Sequence, residues 1–159
     1  MKHLPKHLRQ RWRYLAVDIE TWPDAAMSAV DFQRSLWFAA QNLFGDARSA
    51  DADLRVIAFE HRDGTGEALV RTRRGEESAT RAALACVSSV DGQEIRVTVR
   101  GIGGTIRSAE EKYLGGTPEP HDEETVAFRG EPRRAVGRNG LLDVDVEGAF
   151  VGATTVDTT

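Results

Sequence analysis

The sequence predicts an α/β chain, an α+β sandwich in which helices cover one face of an antiparallel sheet. Three observations predict it. Four segments carry the period-two or β-branched pattern of strands. Two longer segments carry helical periodicity, and they alternate with the strands in an order that one sheet can close. A glycine corner and a shorter helix then follow the fourth strand, so one extra helix is expected at the end of the set.

The first strand is Arg11 to Glu20, with Leu15, Val17 and Ile19 pointing one way and Trp12, Tyr14, Ala16 and Asp18 the other. Trp22-Pro23-Asp24 makes a turn. A helix follows from about Ser28 to Phe44, where Ala29, Gln33, Leu36, Ala40 and Leu43 share a face. Val30, Trp37 and Phe44 widen that face, and Gly45 ends the helix. A broad apolar stripe of this kind is far more often core than a ligand box. Leu54 to His61 is the second strand, and Asp63-Gly64-Thr65-Gly66 turns the chain into a third, Ala68 to Arg73. Val70 takes one face of it, and Leu69, Arg71 and Arg73 the other. Glu76 to Val90 reads as the second helix through Ala79, Ala83, Val87 and Val90, with Asp91-Gly92 as its stop.

In the fourth strand Ile95, Val97 and Val99 alternate with Arg96, Thr98 and Arg100. Gly101, Gly103 and Gly104 break it, Thr105 stands at the N-cap of a helix over Ile106 to Leu114, and Gly115 and Gly116 stop that helix. The order β-α-β-β-α-β is the ferredoxin-like or RRM-like plan, with the first and third strands central. The sheet face away from the two helices is expected to be open to a partner.

Beyond Gly116, Pro118 to Glu124 reads as an acidic loop. Arg138-Asn139-Gly140 reads as a tight turn between Arg134-Ala135-Val136 and the alternating Leu142 to Val146, a small, loosely attached hairpin tail. Thr154 to Thr159 is expected to be disordered. The organisation is therefore a basic N-terminal arm over 1–12, a sheet-and-helix domain over 13–114, and an acidic, partly disordered C-terminal extension over 115–159.

Charge follows the same division. The 159 residues carry a net charge of −4. From Gly115 onward there are nine acids and four bases, while residues 1–114 hold sixteen acids and seventeen bases. Residues 1–13 hold Lys2, Lys6, Arg9, Arg11 and Arg13 and no acid. The balance argues against a strongly basic RNA binder, and an acidic tail suits solubility at high salt. No apolar run approaches a membrane span and no signal-peptide core is present, so a soluble cytoplasmic protein without membrane partners is expected. The one cysteine, Cys86, excludes an intrachain disulfide and falls in a helix interior, as a small buried side chain.

Four kinds of chemistry are weighed. The glycine corner exposes backbone N–H groups ahead of a helix N-terminus, where an anion is favoured and Arg107 can close on it. Capping and a tight turn alone explain the same residues. A P-loop lysine and the third glycine of a dinucleotide fingerprint are both missing. Second, Trp12, Tyr14, Arg71, Arg73, Arg96 and Arg100 give one sheet face a basic, aromatic mixture suited to RNA backbone and shape contacts. A solvated charged face is the plainer alternative. Third, Val17-Asp18-Ile19-Glu20-Thr21 reads like the first motif of a DEDD-type magnesium-dependent 3′–5′ exonuclease, with Asp18 and Glu20 as metal-binding carboxylates. The later acidic motifs of such an enzyme are absent. Fourth, His3, His7, His61 and His121 are scattered, so no metal site is expected, and no nucleophile elbow occurs.

Gly103-Gly104-Thr105-Ile106-Arg107, together with Arg13-Tyr14-Leu15 at the first strand, closely resembles the signature of archaeal ribonuclease P protein component 2, the small subunit family shared by archaeal and eukaryotic ribonuclease P. The resemblance covers about Leu8 to Leu114 and implies the ferredoxin-like fold. It implies a subunit of the ribonucleoprotein that removes 5′ leaders from precursor tRNA, supporting the catalytic domain of the RNA without catalytic groups of its own. No cofactor is expected on this chain, and magnesium is expected on the RNA subunit. The implied partners are ribonuclease P RNA, the TIM-barrel-like component 3, a second copy within a two-plus-two assembly, and precursor tRNA indirectly. Gly103, Gly104, Thr105 and Arg107 become the first candidates for RNA or interface contact, followed by Arg13, Tyr14, Arg71, Arg96 and Arg100. A non-catalytic RNA or protein interaction module is the further alternative.

Overall fold

The computed structural model describes residues 4–116 and 121–158. Its first part runs β1 (Trp12–Thr21), α1 (Ala29–Phe44), α2 (Asp46–Ala52), β2 (Arg55–Arg62), β3 (Thr65–Arg73), α3 (Glu77–Ala85), β4 (Ser89–Val90), β5 (Gln93–Gly103) and α4 (Ile106–Tyr113). The strands form one antiparallel sheet in the order β2-β3-β1-β5-β4. Apart from the two-residue β4, this is the ferredoxin-like order, with the first and third main strands inside.

Leu15, Val17 and Ile19 of β1, Ala68 and Val70 of β3 and Ile95 of β5 point at the helices, as their alternation predicts. They meet Phe32, Leu36 and Ala40 of α1 and Ala83 and Leu84 of α3 in the main core. The buried stripe of α1 is thus rotated by about one residue from the expected one, with Phe32 fully buried and Leu43 45 % exposed. A helix with apolar residues on most of its circumference does not specify from periodicity alone which side faces the sheet. Ser28 caps α1 reciprocally with Asp31, and Gly45, at φ +81°, ends it and begins α2.

α3 is shorter than its apolar spacing implies. Cys86 closes it, exposed rather than buried, and Ser89 and Val90 pair with Glu94 and Gln93. Asp91 and Gly92, both at positive φ, are the turn of that hairpin and not a helix stop. Val87 and Val90 are buried, but β-branched residues separated by two serines fit a strand end better than a helix.

The outer sheet face is not open. α4 crosses β1, β3 and β5 on that side, with Ala109 fully buried beneath it. A second antiparallel sheet, β6 (Asp122–Phe128), β7 (Glu131–Arg138), β8 (Leu141–Val146) and β9 (Ala149–Ala153), covers the end near Glu20. The hairpin expected around Asn139-Gly140 is present as β7 and β8, and further strands flank it on both sides. The acidic stretch Asp122–Glu124 opens β6 rather than forming a loop, and residues 117–120 lie outside the described ones. Thr155–Thr158 form a 3-10 turn capped by Asp157, which accepts from Thr154 N and Oγ1 at 2.8 Å, where disorder was expected.

The tail is firmly attached. Its own small core joins Phe128, Ala135, Leu142, Val144 and Ala153. Trp22 packs against Phe150 with the rings tilted and their centroids 4.6 Å apart, and donates from Nε1 to Gly148 O at 3.1 Å. Arg134 reaches Asp24 at 2.7 Å. Arg138, almost fully buried, donates to the carbonyls of Thr21 and Gly64.

Candidate functional site

β1 begins where β3 and β5 end, and this gathers most of the expected site residues. Trp12 faces Arg73 across the ladder, Arg13 faces Thr72, and Tyr14 lies between Arg71 and Gly103. Gly104 and Thr105 continue from Gly103 into α4, so Arg13, Tyr14, Arg71, Gly103, Gly104, Thr105 and Arg107 share one end of the sheet. Arg13 Nη1 lies 3.5 Å from where a side chain on Gly104 would begin, and its Nε is 3.6 Å from Glu77. Arg71 stacks 3.8 Å over the Trp12 ring. Arg107 is 86 % exposed and pairs at 2.8 Å with Glu111, one helical turn on, its one ion pair among the described residues.

Arg96 and Arg100 lie elsewhere. Arg96 bonds Glu20 at 2.8 Å and both oxygens of Asp143, at 2.9 and 2.7 Å, and sits over Phe150. The Asp143 hydrogen bonds hold the Arg96 guanidinium above the usual arginine range. It bridges the two sheets. Arg100 reaches Asp18 at 3.1 Å and donates to Tyr113 O at 3.1 Å, tying α4 to the strand below.

The glycine corner works differently from its reading as a strand break. Gly101 and Gly103 belong to β5, two residues apart on one face, and form the floor on which α4 lies. A Cβ on Gly101 would come within 2.1 Å of the Tyr113 ring, and one on Gly103 within 2.9 Å of Ala109. Thr105 accepts from Ser108 N at 3.0 Å and donates from its own N to Ser108 Oγ at 3.2 Å, so the cap is internal to the helix. The signal available in the sequence was the period-two spacing of the glycines ahead of an alanine and a tyrosine. Arg11 of the basic arm and Arg74, which sequence reasoning missed, also belong to the basic end, joined by Arg74 N donating to Arg11 O at 2.9 Å.

Asp18 and Glu20 do share one strand face, but arginines occupy both. Among the described residues, no group of three or more His, Cys, Asp or Glu side chains is placed to hold a metal ion. Burial, opposed by Arg100, pushes the Asp18 carboxyl above its ordinary 3.8. A raised carboxyl favours folding while protonated and loses that contribution as pH rises through its folded value. Asp18→Asn is therefore expected to melt no lower than the unmodified chain at pH 7, with any advantage closing below about pH 4. Calorimetry across that range checks it, and a marked loss at pH 7 would show that the Arg100 pair outweighs desolvation.

No helix among the described residues is long and apolar enough to cross a membrane. The profile of the Rpp14/Pop5 family matches residues 13–114, the span from the first strand to the end of α4. A ribonuclease P protein component 2 from Natronomonas pharaonis is 57% identical over 157 residues, covering 99% of this chain and 98% of its own. One from Methanosarcina mazei is 32% identical over 114 residues, covering 72% of this chain and 93% of its own. A chain in a yeast ribonuclease MRP structure gives a TM-score of 0.47 at 15% identity, over 69% of this chain and 82% of that one. Matched over most of its length and by its relatives almost end to end, the chain belongs to the Rpp14/Pop5 family.

Proposed function

We propose that this chain is a protein subunit of ribonuclease P, acting in 5′ maturation of precursor tRNA. The observation that carries it is the near end-to-end match to ribonuclease P protein component 2 at 57% identity. The chain supplies no catalytic group: its paired carboxylates are bound to arginines, and magnesium-dependent cleavage belongs to the RNA. It works in the cytoplasm, docked on ribonuclease P RNA and on the TIM-barrel-like component 3, with a second copy completing a two-plus-two assembly. Residues 13–114 carry this role between the basic arm and the acidic extension.

RNA or interface contact falls first on the sheet end. Among the described residues Arg107 is held by a surface pair worth about 0.3–0.5 kcal/mol, which a phosphate would readily replace. Gly103, Gly104 and Thr105 lead into its helix, and Arg13, Tyr14 and Arg71 lie at the same end of the sheet. Arg96 and Arg100 contribute by holding the second sheet and α4 in place.

Reconstitution tests the reading. Purified chain alone is expected to leave precursor tRNA intact in magnesium. Mixed with the cognate RNA and the other protein subunits, it is expected to raise 5′-leader cleavage above the RNA-only rate, and Arg107→Ala to lower that gain severalfold at limiting protein. Degradation of single strands by the isolated chain, lost in Asp18→Ala, would establish the exonuclease instead. Partner binding with no effect on cleavage would leave an interaction module.

A further inference from the structure

Resting on the subunit reading above, we infer that Arg11, Arg71, Arg73 and Arg74, organised by Trp12, form a docking site for the sugar–phosphate backbone of folded RNA. The chain is acidic overall, yet at this sheet end, which holds Arg11, Arg13, Arg71, Arg73 and Arg74, the acids paired among the described residues are Glu77 beside Arg13, Asp53 beside Arg71, and Glu76, which turns to Arg48. None of those carboxylates quenches the cluster closely. Arg71 Nη2 stands 3.8 Å from Asp53, and Arg13 Nε stands 3.6 Å from Glu77. Glu76 lies 4.0 Å from Arg48. All three separations exceed hydrogen-bond length.

Trp12 is the positioning residue. Arg71 stacks on its ring at 3.8 Å, and Arg73, its partner across the ladder, lies 6.0 Å from the ring centroid. The Nε atoms of both arginines are shut off from solvent without a hydrogen-bond partner. A guanidinium laid on an indole uses its face for the ring and keeps its in-plane edge for acceptors, with part of the ordering already done. Arg74 and Arg11 extend the row on exposed backbone, clamped to each other by the Arg74–Arg11 hydrogen bond.

The same geometry defines the ligand. With Arg71 against its ring, Trp12 is not a free platform for a base, so readout by stacking is disfavoured and phosphate and sugar oxygens are the acceptors. Binding should then depend on backbone charge and shape and be nearly indifferent to base sequence.

The test uses the full chain, the cognate ribonuclease P RNA and an unrelated folded RNA transcript. The double reversal Arg73→Glu/Arg74→Glu is expected to weaken binding to both RNAs tenfold or more. It should also flatten the dependence of log affinity on log salt by roughly two. Trp12→Ala is expected to weaken binding severalfold, and Trp12→Phe to restore most of it. If the reversal unfolds the chain, the exposed pair Arg11→Ala/Arg74→Ala should still show at least a threefold loss and a flatter slope. Unchanged affinity and slope in either pair, while the wild type still raises cleavage, would overturn this site and leave the subunit reading standing. Loss of a protein partner with RNA affinity intact would overturn it equally, and make this end a protein contact. A wild type that neither binds RNA nor raises cleavage would remove both.

Discussion

Gly101→Ala is expected to destabilise the chain by about 3 kcal/mol, at the upper end for overpacking a core. The added carbon has nowhere to go: it would sit 2.1 Å from the Tyr113 ring, inside van der Waals contact, with the strand backbone behind it. Losing glycine's freedom in the unfolded chain returns only about 0.4–1 kcal/mol. For a chain of this size the melting temperature should fall by roughly 6–12 °C. The ring, not the strand, is the part able to yield, so the strain should appear as displacement of α4. Tyr113→Ala in the Gly101→Ala background should therefore recover stability relative to Gly101→Ala alone. The double-mutant cycle should show a coupling of about 1–3 kcal/mol between the two positions. An additive cycle would mean that α4 does not rest on this glycine. Because α4 also carries Thr105 and Arg107, the same substitution should weaken any RNA contact made from that helix.

The sheet-and-helix unit was legible because its strands alternate cleanly and its turns use residues suited to positive φ. Leu15, Val17 and Ile19 announced both the strand and its buried face, and Asn139-Gly140 announced its hairpin. What escaped has physical reasons. α2 begins on the same glycine that ends α1, so one breaker serves two helices and reads as one stop. β6 and β9 open or close at Arg129-Gly130 and Glu147-Gly148, turns of the same kind as Asn139-Gly140 but with a first residue less suited to positive φ. The site residues divided for a similar reason. Sequence spacing placed Arg71, Arg73, Arg96 and Arg100 on one face correctly, but which of them a later part of the chain would cover depends on long-range contacts. Asp143 decides that for Arg96, 47 residues away, and no local pattern encodes it.

Asp143→Ala is expected to cost about 3–5 kcal/mol and to loosen the second sheet before the first unfolds. Asp143 is the shared anion between two guanidiniums, accepting from Arg96 Nη1 and Nη2 and lying 3.0 Å from Arg138 Nε. Arg138 is 4 % exposed, and burial already pulls its pKa below the ordinary arginine value. Without Asp143 that charge is left in the interior on the carbonyls of Thr21 and Gly64, under the repulsion of Arg96 and with the attraction of Glu20 to offset it. Removing one member of a buried ion cluster is far more damaging than replacing the cluster, since the remaining charge keeps its desolvation penalty. Asp143→Leu combined with Arg138→Met should consequently be much milder than Asp143→Ala, even though it discards more polar contacts. Hydrogen exchange separates the possibilities. Amides of β8 and β9 should lose protection in Asp143→Ala while those of β1 and β3 keep theirs, because β1 and β3 retain the whole Leu15–Val70–Phe32 core. Uniform loss across both sheets would instead make them one cooperative unit, with the arginine–aspartate contact part of a single core.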